Sequence, residues 1–381
     1  MKKALSLLLI LILSLSVITS CNIQVTPGSS SNDGTSNNSQ IEDLENDSHK
    51  NPSSSTTDEK NESDINQSES SPSDSENTDK PNEKVTVNVS VLNGTTGFGM
   101  AHLMSQNEEG SASNKYNFKV ETDATNIVSG LIAGTIDIAA LPTNAAANVY
   151  NKSNGKVQVL AINTLGVLYL AQKDGKISSI NELDGKTVYV PAQNPMFIAK
   201  HIFDSNDINV KLDSTTYSSP AALQAAVVAG QVEYAILPQP VITAAIAGAK
   251  KANINYAITL DLTEEWNKLP NSKELVQGCI VIRKEFASNN PEAVKGFLDE
   301  YEVSINYLNE NVKDAAELIV KYKIFANATV AEKAIPSCNV TFMINEEMKT
   351  AMKSFIEAMY NIAPASVGNK LPADDFYYIS K

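Results

Sequence analysis

The chain has 381 residues with 44 acidic and 30 basic side chains, a net charge of −14, of which −10 falls within residues 22–84. The length allows two or three domains with ample core, and the acidity excludes the basic face that a nucleic-acid binder needs, so no nucleic-acid partner is expected. Arg283 is the only arginine, which excludes a phosphate clamp built from several guanidinium groups.

Met1-Lys2-Lys3 is followed by a 15-residue apolar run, residues 4–18, and by Thr19-Ser20-Cys21. A basic start, an apolar run and small residues before a cleavage point predict a secretory signal over residues 1–20. A membrane-spanning helix would need about 20 apolar residues, and Ser6, Ser14 and Ser16 interrupt this run. Cys21, after Ile18-Thr19-Ser20, resembles the lipobox cysteine of bacterial lipoproteins and is the expected lipidation site. Residues 21–84 are mainly Ser, Asn, Asp, Glu, Thr and Pro, with no aromatic residue. Such a segment buries too little apolar surface to offset its ordering entropy, so a disordered tether is expected. Its end-to-end distance as a coil is about 45 Å.

From Val85 the pattern changes. Val85 to Val91 alternates apolar and polar residues and predicts a strand. A glycine-rich loop, Asn93 to Gly99, follows, and a helix is expected to open at Met100. The loop lacks the Gly-Lys-Ser/Thr ending of a nucleotide-phosphate loop. Two readings remain for Thr95, Thr96, Gly97 and Phe98: a turn that needs glycine, or a helix start offering amides and hydroxyls to a ligand.

An internal repeat carries most of the architectural information. Residues 129–150, SGLIAGTIDIAALPTNAAANVY, align without gaps to residues 225–246, AAVVAGQVEYAILPQPVITAAI. Each copy predicts a helix ending in Ala-Gly, as helix C-termini favour, then a buried strand, a turn at Leu-Pro and an alanine-rich helix. Lys186 to Ile202 repeats the strand–loop–helix of Val85 to Met104. Two similar α/β lobes are therefore expected. Open α/β sheets hold ligands beyond the carboxyl ends of their strands, which nominates Pro142, Thr143 and Asn144, their counterparts Pro238, Gln239 and Pro240, and Gln193 and Asn194. As alternatives, Thr143 and Asn144 could be helix caps.

The strings DIAALPTNAA, LAINTLGVLYL, ELDGKTVYV, DLTEEW, GCIVIRKEFASNNPEAVKGFL and SVGNKLPADDFYY together resemble the substrate-binding lipoproteins of bacterial ABC transporters, nearest the nitrate, sulfonate, taurine and thiamine-precursor branch. The resemblance covers residues 85–381. It implies an α/β, two-lobed, type II periplasmic-binding fold with small mixed, mostly parallel sheets. Lobe 1 would comprise 85–175 and 280–381, and lobe 2 residues 176–279. The hinge would lie near Asn163–Lys173 and Leu262–Arg283, bringing Thr164, Leu165 and Gly166 to the cleft. It further implies a monomer lipid-anchored on the outer face of the plasma membrane (the cell surface in a Gram-positive bacterium, the periplasm otherwise). Its partners would be a small-molecule solute and a permease–ATPase complex, with no cofactor and no catalysis. Pro191-Ala192-Gln193-Asn194-Pro195 departs from the branch, since two prolines lack N–H groups, and argues against an oxyanion.

The catalytic inventory is thin. His49, His102 and His201 have no partner at metal-ligand spacing, and no Gly-x-Ser-x-Gly elbow is present. No metal site is expected. Cys279 and Cys338 are either a disulfide or two buried thiols. Phe98, Phe197, Tyr217 and Trp266 are either stacking surfaces or core, and Arg283 is expected to be exposed. The neutral residues at the strand ends suit an uncharged or singly charged heteroaromatic solute. The competing readings are an enzyme of vitamin-precursor metabolism on the same fold, and a surface sensor or adhesin.

Overall fold

Val87, Val89 and Val91 point to one face of the first strand and are fully or almost fully buried, while Asn88 and Ser90 take the other face, as strand alternation requires. The computed structural model describes residues 84–380. The signal segment, Cys21 and residues 21–83 of the tether lie outside the described residues. In chain order the first elements are β1 (Thr86–Leu92), α1 (Thr95–Phe98), α2 (Ala101–Glu108), β2 (Lys115–Glu121), α3 (Ala124–Ala133), β3 (Ile138–Pro142), α4 (Thr143–Lys152) and β4 (Val157–Thr164). Next come β5 (Leu168–Lys173), β6 (Thr187–Tyr189), α5 (Asn194–Ser205), β7 (Lys211–Asp213), α6 (Pro220–Val228), β8 (Tyr234–Pro238), α7 (Val241–Lys251), β9 (Tyr256–Asp261) and α8 (Leu262–Asn267). The chain ends with β10 (Gly278–Arg283), α9 (Lys284–Asn289), α10 (Pro291–Glu310), α11 (Val312–Lys321), α12 (Ala328–Ala334), β11 (Val340–Met343) and α13 (Asn345–Ile362). None of the described helices is long and apolar enough to cross a membrane.

The strands form two sheets, ordered β11-β4-β10-β3-β1-β2 and β7-β6-β8-β5-β9. Both are mixed. Parallel pairing is confined to β2-β1-β3 and β7-β6-β8, the units that the repeat predicts. The strands that complete each sheet run antiparallel, so fewer pairings are parallel than expected. The repeated Ala-Gly steps do end their helices, with Gly134 at φ 79° and Gly230 at φ 68°, a conformation that glycine adopts without penalty.

Two boundaries move. Leu168–Lys173 was expected in lobe 1, but β5 pairs with β8 and β9 in the second sheet, because its apolar residues fill the core of that lobe. The return crossing ends at Gly278 rather than 280, where β10 enters the first sheet between β3 and β4. The chain thus crosses between lobes at 165–167 and at 262–277. One apolar cluster runs through both lobes, joining α4 and α13 of the first to α5, β6 and β8 of the second through Trp266, Leu275 and Val276. A separate cluster lies beneath α2, α10 and α11, and a third beneath α6 and α7.

Candidate functional site

The carboxyl ends of β1 and β3 in one lobe meet those of β6 and β8 in the other, and the loops there form a seam. The Thr95 hydroxyl donates to the Gln239 carbonyl at 2.7 Å, both residues being buried. Tyr169 of β5 donates through its hydroxyl to the Ser337 carbonyl at 2.9 Å. At the crossings, the Val167 amide donates to Gln277 Oε1 at 2.7 Å. The Leu165 amide donates to the Asn339 carbonyl at 3.1 Å, and the Asn339 side chain donates back to Gly166. The two lobes are therefore bonded directly to each other.

The floor on the lobe 1 side is a hydrogen-bonded network. Asn163 Nδ2 donates to the Thr96 carbonyl at 2.8 Å and to the Tyr301 hydroxyl at 3.1 Å, and the Thr164 hydroxyl donates to Asn163 Oδ1 at 3.1 Å. Gly278 lies against this network so closely that a Cβ would stand 2.5 Å from Thr96 Cγ2 and 2.7 Å from Asn163 Oδ1. Two free thiols sit under the same loops. Cys338 Sγ is 3.9 Å from Thr95 Oγ1, and burial pushes its thiol up to about 12. Cys279, beside Thr143, is raised the same way. Both are buried protonated thiols, which decides against the disulfide.

Helix starts at the seam differ from many elsewhere. α3, α6, α8 and α12 begin on Asp123, Ser219, Asp261 and Asn327, whose side chains accept from first-turn amides. α4, α5 and α7 begin on Pro142, Gln193 and Pro240 with no side-chain cap. α1, α2, α9, α10, α11 and α13 are uncapped too, but α4, α5 and α7 are the ones that follow directly on the central strand ends of the two sheets. Their first-turn amides have no intrahelical acceptor and carry the positive ends of the helix dipoles.

Eight buried side-chain polar atoms among the described residues have no partner, and three of them belong to these starts: Thr143 Oγ1, Asn144 Oδ1 and Asn194 Oδ1. A fourth, Thr263 Oγ1, adjoins Gly166 at the hinge. Native proteins leave few such groups, and no other part of the described residues gathers three of the eight.

No charged side chain lies in residues 93–99, 142–146, 163–167, 190–197 or 238–243. Arg283, expected to be exposed, is instead partly buried at the opposite end of β10. Its Nη2 is 2.8 Å from Asp137 Oδ1 and its Nη1 is 3.1 Å from Glu285.

Several nominated residues have other work. Phe98 is fully buried in the lobe 1 core, edge-on to Phe325, so it faces no ligand. Gly97 is a packing glycine whose Cβ would meet the Leu92 carbonyl at 2.5 Å. The helix expected to open at Met100 is α2, with Met100 as its N-cap residue, and the one-turn α1 precedes it within the glycine-rich loop. Thr164, Leu165 and Gly166 form the first crossing rather than a wall. Gln193 is exposed, with φ 64°. Gln239 Oε1 accepts from Thr243 of the following helix, α7, at 2.7 Å. Phe197 packs against the shared core, Tyr217 stands edge-on to Tyr189, and Trp266 is buried with its Nε1 donating to the Lys273 carbonyl. Trp266 also borders a flank groove of about 500 Å³ between α5, α8 and α13, outside the seam. No cluster of His, Cys, Asp and Glu among the described residues could hold a metal ion.

Asn163, Tyr169, Gln277, Tyr301 and Asn339 were missed by sequence reasoning. The only signal was position: Gln277 and Asn339 stand just before β10 and β11, strands that reach the seam at their first residue.

The family described as "ABC transporter, phosphonate, periplasmic substrate-binding protein" matches residues 109–331. No curated protein matches in sequence. Among solved structures, an ABC transporter protein of Parabacteroides distasonis is similar with a TM-score of 0.66 and 21% identity, over 78% of this chain and 100% of that one. The aliphatic sulphonate-binding protein of Escherichia coli has a TM-score of 0.62 and 13% identity, over 78% and 92%. The nitrate-binding protein of Synechocystis has a TM-score of 0.50 and 12% identity, over 75% and 85%. At these identities the structures share the fold.

Proposed function

The chain belongs to the periplasmic substrate-binding proteins of ABC transporters, and on that footing we propose that the seam between its lobes is where the solute is held for delivery to a permease and its ATPase. The observation that carries this is the pair of unpartnered buried oxygens at the uncapped helix starts, Asn144 from one lobe and Asn194 from the other, with the Thr143 hydroxyl beside them engaged by no more than the Cys279 thiol. A solute seated there satisfies amides and side chains of both lobes at once, so it binds the closed arrangement better than the open one. That differential affinity is what drives closure. The same reading assigns Thr95, Thr96 and Gln239 to the border of the site, and Pro142, Pro238 and Pro240 to its edges, because all six lie in the loops that lead into these helix starts.

Native mass spectrometry of protein purified from its own host tests the reading. A small molecule of defined mass should accompany the wild-type chain and be lost from Asn144→Ala. A solute retained equally by both proteins would place the site elsewhere.

We also propose a monomer, free of cofactor and catalysis, anchored through Cys21 on the outer face of the membrane. The support for anchoring is the signal-like start and the lipobox resemblance. Cys21→Ser should move the protein from the membrane fraction to the medium or leave it as precursor; mature-sized protein still in membranes would disprove the anchor.

A further inference from the structure

We infer that Asn339 is a positioning residue: from lobe 1 it grips the first crossing and biases the lobes toward the closed arrangement before any solute arrives. This goes beyond the reading of the seam as the solute site and takes from it only that the lobes part to admit a solute. Asn339 stands at φ 45° just before β11, a left-handed conformation that Asn tolerates better than most residues. Its carbonyl accepts from the Leu165 amide at 3.1 Å, and its Nδ2 donates to the Gly166 carbonyl. A carbonyl is met only by a donor, so this partner fixes which way the side-chain amide points.

The crossing itself has little freedom to absorb a rotation. The Gln277 amide donates to the Thr164 carbonyl at 3.0 Å, and the Gln239 amide of lobe 2 donates to the Val167 carbonyl at 2.9 Å. A Cβ on Gly166 would stand 2.1 Å from Thr263 Oγ1 and 2.9 Å from Leu275 Cδ2, so the two crossings are pressed together. The neighbours of Asn339 continue its grip. The Ser337 carbonyl accepts from Tyr169 of lobe 2, and Cys338 is fully buried beside Thr95. Helix α12, which leads into this segment, packs against α7 of lobe 2. Lobe 2 therefore cannot turn away without pulling Tyr169 and the crossing off residues 337–339. A bias of this kind raises the fraction of the chain that is competent to bind, and so tightens every solute alike.

The test uses thiols that the chain already carries. Cys338 lies in the gripping segment, whereas Cys279 is fully buried within β10, paired on both sides by β3 and β4 of lobe 1. The full ligand-free chain is labelled with N-ethylmaleimide well below its melting temperature, and each cysteine is followed by peptide mass spectrometry. Asn339→Gly keeps the left-handed turn and removes only the side chain. In it Cys338 should label about 3- to 10-fold faster, with Cys279 unchanged. Asn339→Asp sets a carboxylate oxygen against the Gly166 carbonyl and should accelerate Cys338 at least as much. Equal acceleration of both thiols would make Asn339 a residue of general stability and overturn the inference, and so would unchanged labelling of Cys338 in both variants. Protein that carries its solute from the host should label at Cys338 more slowly than the ligand-free chain. Absence of that protection would overturn the seam as the solute site, while the role of Asn339 is decided by the two variants alone.

Discussion

Strands β3 and β10 run side by side, yet their two ends carry opposite chemistry. At the end away from the seam, Asp137 accepts from the Asn88 amide and side chain, both at 2.9 Å, and from Arg283 at 2.8 Å. Charge there is dense and its partners are supplied by the chain. At the other end, Pro142 is paired with Gly278, and just beyond lie Thr143 and Asn144 with unpartnered buried atoms, in a loop, residues 142–146, that carries no charged side chain. Apart from Arg283 Nε, the charged end finds its partners within the chain, whereas the other end leaves atoms of Thr143 and Asn144 without them. The contrast separates an ion-paired end that holds the sheet together from an uncharged end that we propose borders the solute site.

The largest expected effect is at the completed end. Arg283→Ala leaves the carboxylate of Asp137, only 4% exposed, without its cation, and should cost about 3–5 kcal/mol in urea unfolding. Solute affinity of the folded fraction should not change. A double replacement, Asp137→Leu with Arg283→Met, should recover much of the loss, because apolar substitution of a whole buried pair is tolerated better than half of it. If Arg283→Ala weakens solute binding as much as it weakens the fold, the two ends are not separable.

Gly278→Ala tests the unfinished end of the same strand. Its methyl group would press on Thr96 and Asn163, so the expected cost is about 1–3 kcal/mol of stability from overpacking, together with a loss of solute affinity that Arg283→Ala does not show. Unchanged affinity would mean that the Thr96–Asn163 network does not shape the site.

How far these regions could be read from sequence follows the same division. The repeat, its Ala-Gly helix ends and the turns after each strand depend on residues near one another in the chain, and they predict the two sheets and the helix starts at which Thr143, Asn144 and Asn194 stand. What was misjudged depends on distant partners. Arg283 meets Asp137 across 146 residues, Thr95 meets Gln239 across 144, and Tyr169 meets Ser337 across 168. Nothing local distinguishes Phe98 in the core from Phe98 at a cleft, since burial is decided by Phe325 and its neighbours. β5 was assigned to the wrong lobe because an apolar strand fits either sheet until its partners are known.

A smaller effect is expected where lobe meets lobe. Tyr169→Phe removes the hydroxyl that reaches the Ser337 carbonyl and should destabilise the closed arrangement by about 0.5–1.5 kcal/mol. Small-angle scattering of the ligand-free protein should show a larger mean dimension, and affinity should fall for every solute alike. A change confined to one solute would make Tyr169 a specificity residue instead.

The smallest effect concerns pH, and it separates the seam from the rest of the molecule once more. The seam's loops hold no group that titrates near neutrality, since burial raises both thiols and the Tyr169 hydroxyl. The two histidines among the described residues lie outside it: His102 stacks on Tyr307 with centroids 3.9 Å apart, and the His201 and Trp266 ring centroids are 5.1 Å apart. Burial lowers both pKa values, against weaker opposing effects of Glu109 and Asp204. For a base with a lowered folded pKa, the unfolded chain binds more protons once the pH drops below about 6.5. Stability should therefore be full above that pH and decline as the pH falls through it. His102→Gln with His201→Gln should flatten the slope of stability against pH between about 5.5 and 7, while solute affinity stays level across the same range in both proteins. An affinity that follows pH with the wild-type stability curve would show that the seam senses the histidines after all.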